Sequence, residues 1–137
     1  MPSESNCCRE INELHRFFQN WFNGVLDNSD ECFRRLSEVL ADGFEIISPP
    51  GTRTHREELL NSLRDTHAMH AASPIEISIQ NCGARALSDQ IYLATYEEWQ
   101  ATASDKKGRL SSAIMRTARD TPHGVEWLQV HETWLPV

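Results

Sequence analysis

Hydrophobic residues repeat every three or four positions in the first half of the chain and every second position in much of the second half. The first spacing is that of one face of an α-helix, and strict alternation is that of a half-buried β-strand. The helical stripe consists of Ile11, Leu14, Phe17, Phe18, Trp21, Phe22 and Val25, and the alternation begins with Ile75, Ile77 and Ile79. Helices that precede a run of neighbouring strands predict an α+β domain, with the helices covering one face of an antiparallel sheet.

Capping and turn residues predict the element order α-α-β-α-β-β-β-β in a single domain of residues 1–137. Gly24 lies at the end of the first helix, and Ser29 can cap the second. A strand is predicted at 44–48, and Thr54 and Glu57 have the spacing of a capping box for a third helix. The last four strands are predicted at about 75–80, 86–100, 109–118 and 125–134, with a turn at Asn81-Cys82-Gly83. Residues 1–6 precede these elements and are expected to be disordered.

The composition argues against nucleic-acid and membrane partners. The net charge is −7, from 13 basic and 20 acidic residues, and such a surface repels phosphate backbones and anionic lipids. No apolar run is long enough to span a bilayer. The beginning of the chain lacks the basic region of a signal peptide, which predicts a cytoplasmic protein. The cysteines are then expected to be reduced thiols: Cys7, Cys8, Cys32 and Cys82.

Alternation along the strands predicts which side chains face the helices. Centring each hairpin on its loop places Ile79 opposite Leu87, Trp99 opposite Leu110, and Ile114 opposite Val130. One face then collects the aliphatic residues that the helices should cover. Several polar residues occupy the same alternate positions as these aliphatic residues and therefore lie on the same predicted face: Thr95, Glu97, Ser112, Arg116 and Glu132.

The polar residues on this predicted inner face form a candidate catalytic cluster. Glu97 and Glu132 fall on strands that flank the strand carrying Ser112, roughly 10 Å apart, and can share water or a ligand. Two carboxylates in an apolar pocket can act as acid and base. Arg116 completes the cluster. The alternative is a structural cluster at a wet sheet end, in which Arg116 only neutralises a glutamate.

The opposite parity predicts an outer face that is too apolar for free solvent. Its large side chains, set among small residues, are typical of a protein–protein surface and predict a homodimer through the outer sheet face. The predicted interface residues are Tyr92, Tyr96, Met115, Trp127 and His131. The alternative is a sheet that curls and partly covers itself. His131 can be an interface residue or a general base oriented by Glu98 or Tyr96.

No sequence motif indicates a metal or a cofactor. The chain lacks a nucleophile elbow, a phosphate-binding glycine loop, an HExxH zinc motif and a dinucleotide fingerprint. His67 and His70 can share a helical face, but no third ligand accompanies them. We therefore expect neither a metal nor a cofactor.

Two stretches, LADGFEIISPPG at 40–51 and WLQVHETW at 127–134, together with the element order, resemble the nuclear transport factor 2-like superfamily. The resemblance is to its SnoaL-like and ketosteroid isomerase-like branches and covers nearly the whole chain. It implies a cone-shaped curved sheet wrapped around the helices, a pocket inside, and dimerisation through the outer sheet face. The residues expected to line the pocket are Phe18, Phe44, Ile46, Thr95, Trp99, Ser112, Ile114, Val130 and Trp134.

Two functional hypotheses follow. In the first, the pocket binds a small apolar molecule, such as a polyketide or a steroid, with or without acid–base catalysis of the isomerase, cyclase or dehydratase type. In the second, the domain is a non-enzymatic homodimerisation or assembly module. The family that the chain resembles contains both kinds of protein, so the fold alone does not decide between them.

Overall fold

The computed structural model describes residues 3–136, which form an α+β domain. The helices are α1 (Glu4–Phe22), α2 (Asp30–Ser37) and α3 (Arg56–Arg64). The strands are β1 (Leu40–Ile47), β2 (Arg53–His55), β3 (Glu76–Ala86), β4 (Ile91–Ala101), β5 (Lys106–Thr117) and β6 (Val125–Trp134). The curved, open sheet has the order β2-β1-β6-β5-β4-β3, in which β1 and β6 are parallel and all other neighbours are antiparallel.

The predicted fold class is confirmed, and the first two local differences concern the segment before α3 and the start of α1. The segment before α3 contains a short strand, β2, which pairs with β1 as a hairpin. The first helix begins at Glu4, so residues 4–6 are helical rather than disordered, while residues 1 and 2 lie outside the described part of the chain.

The apolar stripe of α1 packs against the sheet as the spacing predicts. Ile11 and Trp21 are fully buried, and Leu14 and Phe17 are nearly so. Polar side chains of α1 also bond to the backbone around β3: the Gln19 carboxamide accepts from the Ile77 N–H, at 2.8 Å. We call the side of the sheet that faces α1 the inner face and the other side the outer face.

The predicted faces of β4 and β5 are reversed because the segment Asn81–Gly83 is a β-bulge and not a turn. The strand β3 continues through it to Ala86, and Asn81 adopts a φ of 54° there. Ile79 therefore lies opposite Glu98 and not opposite Leu87. The predicted and observed partners of Ile79 are an odd number of residues apart, so the two faces of β4 are exchanged. The pairing of β4 with β5 exchanges the faces of β5 as well.

The corrected parity removes most of the predicted outer-face interface. Tyr92, Tyr96, Met115 and Trp127 are buried within the monomer, so they cannot line a dimer interface. Conversely, six residues expected in the pocket or the catalytic cluster lie on the outer face: Thr95, Glu97, Trp99, Ser112, Ile114 and Arg116.

The side chains near the end of β6 face the predicted way, because the register between β5 and β6 also differs from the prediction by one residue. This second difference compensates for the one between β3 and β4. Ala113, and not Ile114, lies opposite Val130, which returns Val130 and Glu132 to the inner face. His131 is exposed on the outer face. A register irregularity around Leu128 allows Trp127 and Val130 both to be buried, although they are an odd number of residues apart.

A disulfide joins Cys8 on α1 to Cys82 in the bulge of β3, so the expectation of four reduced thiols is wrong. The two Cα atoms are 6.0 Å apart, within the ordinary range for a disulfide. Cys7 and Cys32 are free, and Cys7 is a fully buried core residue. The disulfide fixes the N-terminal part of α1 against the sheet.

Removal of this disulfide should destabilise the fold. It closes a sequence separation of 74 residues, so Cys8→Ser should lower the free energy of unfolding by about 2–4 kcal/mol in urea titrations. The matched control Cys32→Ser removes a thiol that is not bonded and should change it by less than about 1 kcal/mol. Equal unfolding midpoints for wild type and Cys8→Ser without reductant would contradict the assignment.

Candidate functional site

A chamber of about 270 Å³ opens between the inner face of the sheet and the helices. Its walls are mainly apolar, and its polar groups gather on β4, β5, β6 and one turn of α1. The apolar lining residues are Leu14, Phe18, Phe22, Leu36, Leu40, Phe44, Ile46, Leu59, Leu63, Trp127 and Val130. The polar lining residues are His15, Tyr96, Glu98, Gln100, Arg109 and Glu132.

Helical and strand periodicity place the polar groups together. His15 follows Leu14 on the buried face of α1, and its Nδ1 lies 2.7 Å from the Ile11 carbonyl oxygen one turn earlier. Tyr96, Glu98 and Gln100 alternate along β4, so all three point to the inner face.

His15 and Glu98 form a buried ion pair. His15 Nε2 lies 3.2 Å from Glu98 Oε1, and the side chains are 6% and 7% exposed. Burial alone would raise the pKa of Glu98, but the charge of His15 and hydrogen bonds from His15 and Gln100 lower it to about 2. Burial opposes the charge on His15, but Glu98 and the Ile11 carbonyl raise its pKa above the ordinary value. The pair is therefore ionised at mildly acidic pH.

Glu132 has a different environment from Glu98. Burial raises its pKa, and the neighbouring charge of Glu98 adds to the rise, while Arg109 only partly offsets both. Arg109 Nη1 donates to Glu132 Oε1 at 3.0 Å. Burial and the two nearby carboxylates raise the pKa of Tyr96 well above its ordinary value, so its phenol stays protonated.

The chamber thus contains two carboxyl groups whose pKa values move in opposite directions. Glu98 stays ionised, and Glu132 takes up a proton more readily. They lie on β4 and β6 with β5 between them, roughly 10 Å apart across the sheet and two residues apart along the strands. Groups with such opposed environments can divide the roles of base and acid.

A second buried network supports the chamber wall from behind. Glu10 on α1 is fully buried and accepts from Arg35 on α2 at 2.7 and 3.2 Å. Its Oε2 also accepts from the indole Nε1 of Trp127 at 3.0 Å. Because Trp127 lines the chamber, the network fixes one wall by joining α1, α2 and β6.

The structure brings together part of the predicted site. Phe18, Phe44, Ile46, Val130 and Glu132 line the chamber. Trp134 is the last residue of β6 and is 47% exposed. Neither Glu97 nor Arg116 lies in the chamber, so the predicted cluster with Glu132 is not formed.

The two misplaced residues have other partners on the protein surface. Glu97 accepts from Asn81 at 2.9 Å and from the Trp99 indole at 3.1 Å. Arg116 pairs with Glu126 at 2.7 Å. Both are structural contacts at the positions where the exchanged strand parity puts them.

The groups that dominate the chemistry of the chamber were not predicted to line it: His15, Tyr96, Glu98, Gln100 and Arg109. For His15, a usable signal exists, because it lies within the apolar stripe of α1 between Leu14 and Phe18. For the other four, alternation along the strands is the usable signal. It was applied to the wrong faces because the bulge at 81–83 was predicted to be a turn.

The model of the family described as Sucrose-6-phosphate phosphohydrolase C-terminal matches residues 7–136. The chain belongs to this family. A similar curated protein is sucrose-phosphatase 1 of Nicotiana tabacum, 22% identical over 127 residues. That match covers 92% of this chain but 30% of the tobacco protein, so the chain spans about a third of its relative's length.

Solved structures confirm the fold expected from the superfamily resemblance. An NTF-2-like protein of unknown function from Pseudomonas aeruginosa superposes with a TM-score of 0.82 at 20% identity, covering 96% of this chain and 99% of the other. The CaMKII hub of S. rosetta gives 0.70 at 8% identity, with coverage of 98% and 100%. A candidate ketosteroid isomerase from Parabacteroides distasonis gives 0.56 at 12% identity, with coverage of 91% and 88%. Isomerase-like and assembly domains thus share this fold.

Residues 3–136 lack two features that would point to a membrane or a metal. None of their helices is long and apolar enough to cross a membrane. Within the same range, no three His, Cys, Asp or Glu side chains are grouped so that they could hold a metal ion.

The ion pair predicts the titration of His15. In NMR titrations of the imidazole, the pKa should lie above its ordinary value in the wild type and fall in Glu98→Gln, because burial is then opposed only by the Ile11 carbonyl and the charge of Glu132. The matched control Glu97→Gln changes a carboxylate of the outer face and should leave the titration unchanged. An unaltered His15 titration in Glu98→Gln would contradict the pairing.

The same variant should show a defined pH dependence of stability. The pKa of His15 is raised on folding, so its contribution to the free energy of unfolding is complete below the unfolded pKa of 6.5. This contribution is lost as the pH rises through the folded pKa. The lowered pKa of Glu98 stabilises the fold fully above 4.5, and this is lost as the pH falls toward about 2. The stability difference between wild type and Glu98→Gln should therefore be largest between pH 4.5 and 6.5.

Proposed function

We propose that this domain binds a small organic molecule in the chamber and can transfer protons to and from it. The observation that carries the proposal is the buried His15–Glu98 ion pair at the edge of a largely apolar chamber of about 270 Å³. Ionised groups are costly to bury, and a pocket that contains perturbed carboxyl groups is a favoured position for ligand chemistry.

The walls indicate a ligand with an apolar part and a polar end. Phe18, Phe22 and Phe44 offer apolar surface, while Gln100 can bond to hydroxyl or carbonyl groups and the two carboxylates can accept from hydroxyl groups. The family description and the names of the curated relatives make sucrose 6-phosphate a candidate ligand. A role in the handling of sucrose phosphate is therefore part of the proposal for this chain.

The proton-transfer roles follow from the charges. Glu132 exchanges the proton with the ligand, because its pKa is raised toward neutral pH, whereas the pKa of Glu98 is lowered. The neutral phenol of Tyr96 donates a hydrogen bond to oxygen on which negative charge develops. His15 contributes its positive charge nearby, because its two N–H groups already bond to Ile11 and Glu98. Glu98 keeps His15 charged and in place.

A blocked chamber tests the binding proposal. Ile46→Trp should fill space between β1 and α1, whereas Leu110→Trp adds the same indole at a position that is 44% exposed on the outer face. In thermal-shift screens with sucrose 6-phosphate, steroids and hydroxylated apolar acids, a ligand of the chamber should raise the melting temperature of wild type and Leu110→Trp but not of Ile46→Trp. Ligands that stabilise all three proteins equally, or no stabilising ligand at all, would contradict the proposal.

The second candidate function is homodimerisation or assembly through the outer face of the sheet. Half-buried aliphatic side chains lie there in adjacent strands, among them Ile91, Leu93 and Ile114, and Leu110 is exposed. Neighbours of the same fold include a CaMKII hub. This interface differs from the one predicted from the sequence, since only His131 of that set lies on the outer face.

Substitution on the corrected face tests assembly. If the domain dimerises there, Ile114→Glu should convert dimers to monomers in light scattering, because it places a carboxylate within the apolar contact. Val25→Glu is the control, since Val25 is 69% exposed in the loop after α1 and away from the sheet. A monomeric wild type, or a dimer that survives Ile114→Glu, would contradict this candidate.

The cytoplasmic location expected from the sequence stays a prediction. The disulfide between Cys8 and Cys82 is more typical of an oxidising compartment.

A further inference from the structure

A second hollow, of about 170 Å³, adjoins the chamber at the end of β4 and β5. Gln100 and Arg109 line both spaces, so the two are adjacent parts of one surface. The other residues around this outer hollow are Thr102, Asp105, Lys107 and Trp134.

The strand register explains why the two spaces are continuous. Glu98, Arg109 and Trp134 are direct neighbours across β4, β5 and β6, and Gln100 lies opposite Lys107 in the next inner-face row. Inner-face rows are separated by two residues, roughly 7 Å along a strand. A ligand of two rings can therefore extend from the chamber to the outer hollow.

The outer hollow combines an exposed aromatic face with two cations. The indole of Trp134 is 47% exposed, with the guanidinium of Arg109 at 5.2 Å and the Lys107 ammonium at 5.8 Å from its ring centre. Arg109 uses Nη1 to bond to Glu132, and its remaining N–H groups have no acceptor among residues 3–136. Among residues 3–136, the carboxylate paired with Lys107 is that of Asp105, at 3.7 Å, and both side chains are largely exposed. Such a surface pair is weak, so a ligand anion can replace Asp105.

We propose that the outer hollow is a subsite for a sugar ring that carries a phosphate group, the rest of the ligand lying in the chamber. This inference rests on the proposed function and deepens it by naming the ligand class. The apolar face of a sugar ring can lie on the indole of Trp134, and Gln100 and Thr102 can bond to its hydroxyls. Lys107 and Arg109 supply the charge-assisted hydrogen bonds that a phosphate requires.

The chain offers a matched control for this subsite on the opposite face of the same hairpin. Lys106 lies 5.3 Å from the ring of Trp99, so the pair repeats the cation and indole chemistry of Lys107 and Trp134. Trp99 lies over Gly108, and both Lys106 and Trp99 belong to the outer face. Nonspecific attraction of a sugar phosphate to a tryptophan and a lysine would affect both pairs equally.

Isothermal titration calorimetry with sucrose 6-phosphate, sucrose and inorganic phosphate tests the subsite. The wild type should bind sucrose 6-phosphate at least about tenfold more tightly than sucrose or phosphate alone. Trp134→Ala should weaken binding of both sugars by about tenfold, and Lys107→Gln should remove most of the advantage of the phosphate. Trp99→Ala and Lys106→Gln should change neither affinity.

The outcomes separate this inference from the proposed function. If Ile46→Trp abolishes binding while Trp134→Ala and Lys107→Gln have no effect, the subsite is overturned and the chamber stands. Equal losses in the outer-face controls, or equal affinities for sucrose and its phosphate, also overturn the subsite. The absence of any binding of sucrose 6-phosphate at millimolar concentrations overturns the subsite as well, and the ligand screen then decides the chamber by itself.

Discussion

The ion pair between His15 and Glu98 determines how the helical layer can meet the sheet. Each charged side chain is nearly fully buried, and either one alone would carry a large desolvation penalty. Their contact fixes the face of α1 and the parity of β4 together, because a one-residue shift of either element would separate the charges. The same parity brings Tyr96, Gln100 and Arg109 to the inner face. An inner face with these polar groups cannot be sealed by apolar packing alone, which accounts for the chamber at this end of the sheet.

Several contacts hold the chamber walls before any ligand arrives. The disulfide fixes the N-terminal part of α1, Glu10 joins it to Arg35 and Trp127, and Gln19 bonds to the backbone of β3. These contacts are spaced along the helix, so α1 is held over most of its length. A site built on elements fixed in this way loses little conformational entropy on binding, which favours both affinity and orientation of the reacting groups.

The sequence predicted the fold class correctly because hydrophobic period is a local property, visible in Ile11 to Phe22 and in Ile75 to Ile79. It predicted the site only in part because strand parity depends on where a chain turns. Asn81-Cys82-Gly83 has the composition of a turn, but the ladder between β3 and β4 continues on both sides of it. Because this segment was predicted to be a turn, Glu97 was placed on the inner face and Glu98 on the outer face. Glu132 was placed correctly only because the β5–β6 register shifted by one residue in compensation. The disulfide could not be predicted either, because nothing in the local sequence shows that a bulge of β3 lies beside the start of α1.

Even-numbered residues of β4 face α1, and nuclear Overhauser contacts of the His15 ring can verify this orientation. The rings of His15 and Tyr96 have centroids 5.5 Å apart in an edge arrangement. We expect cross-peaks between the His15 imidazole protons and the aromatic protons of Tyr96. Cross-peaks from His15 to the side chains of Thr95 or Glu97, with none to Tyr96, would contradict it and return the chamber to the opposite parity.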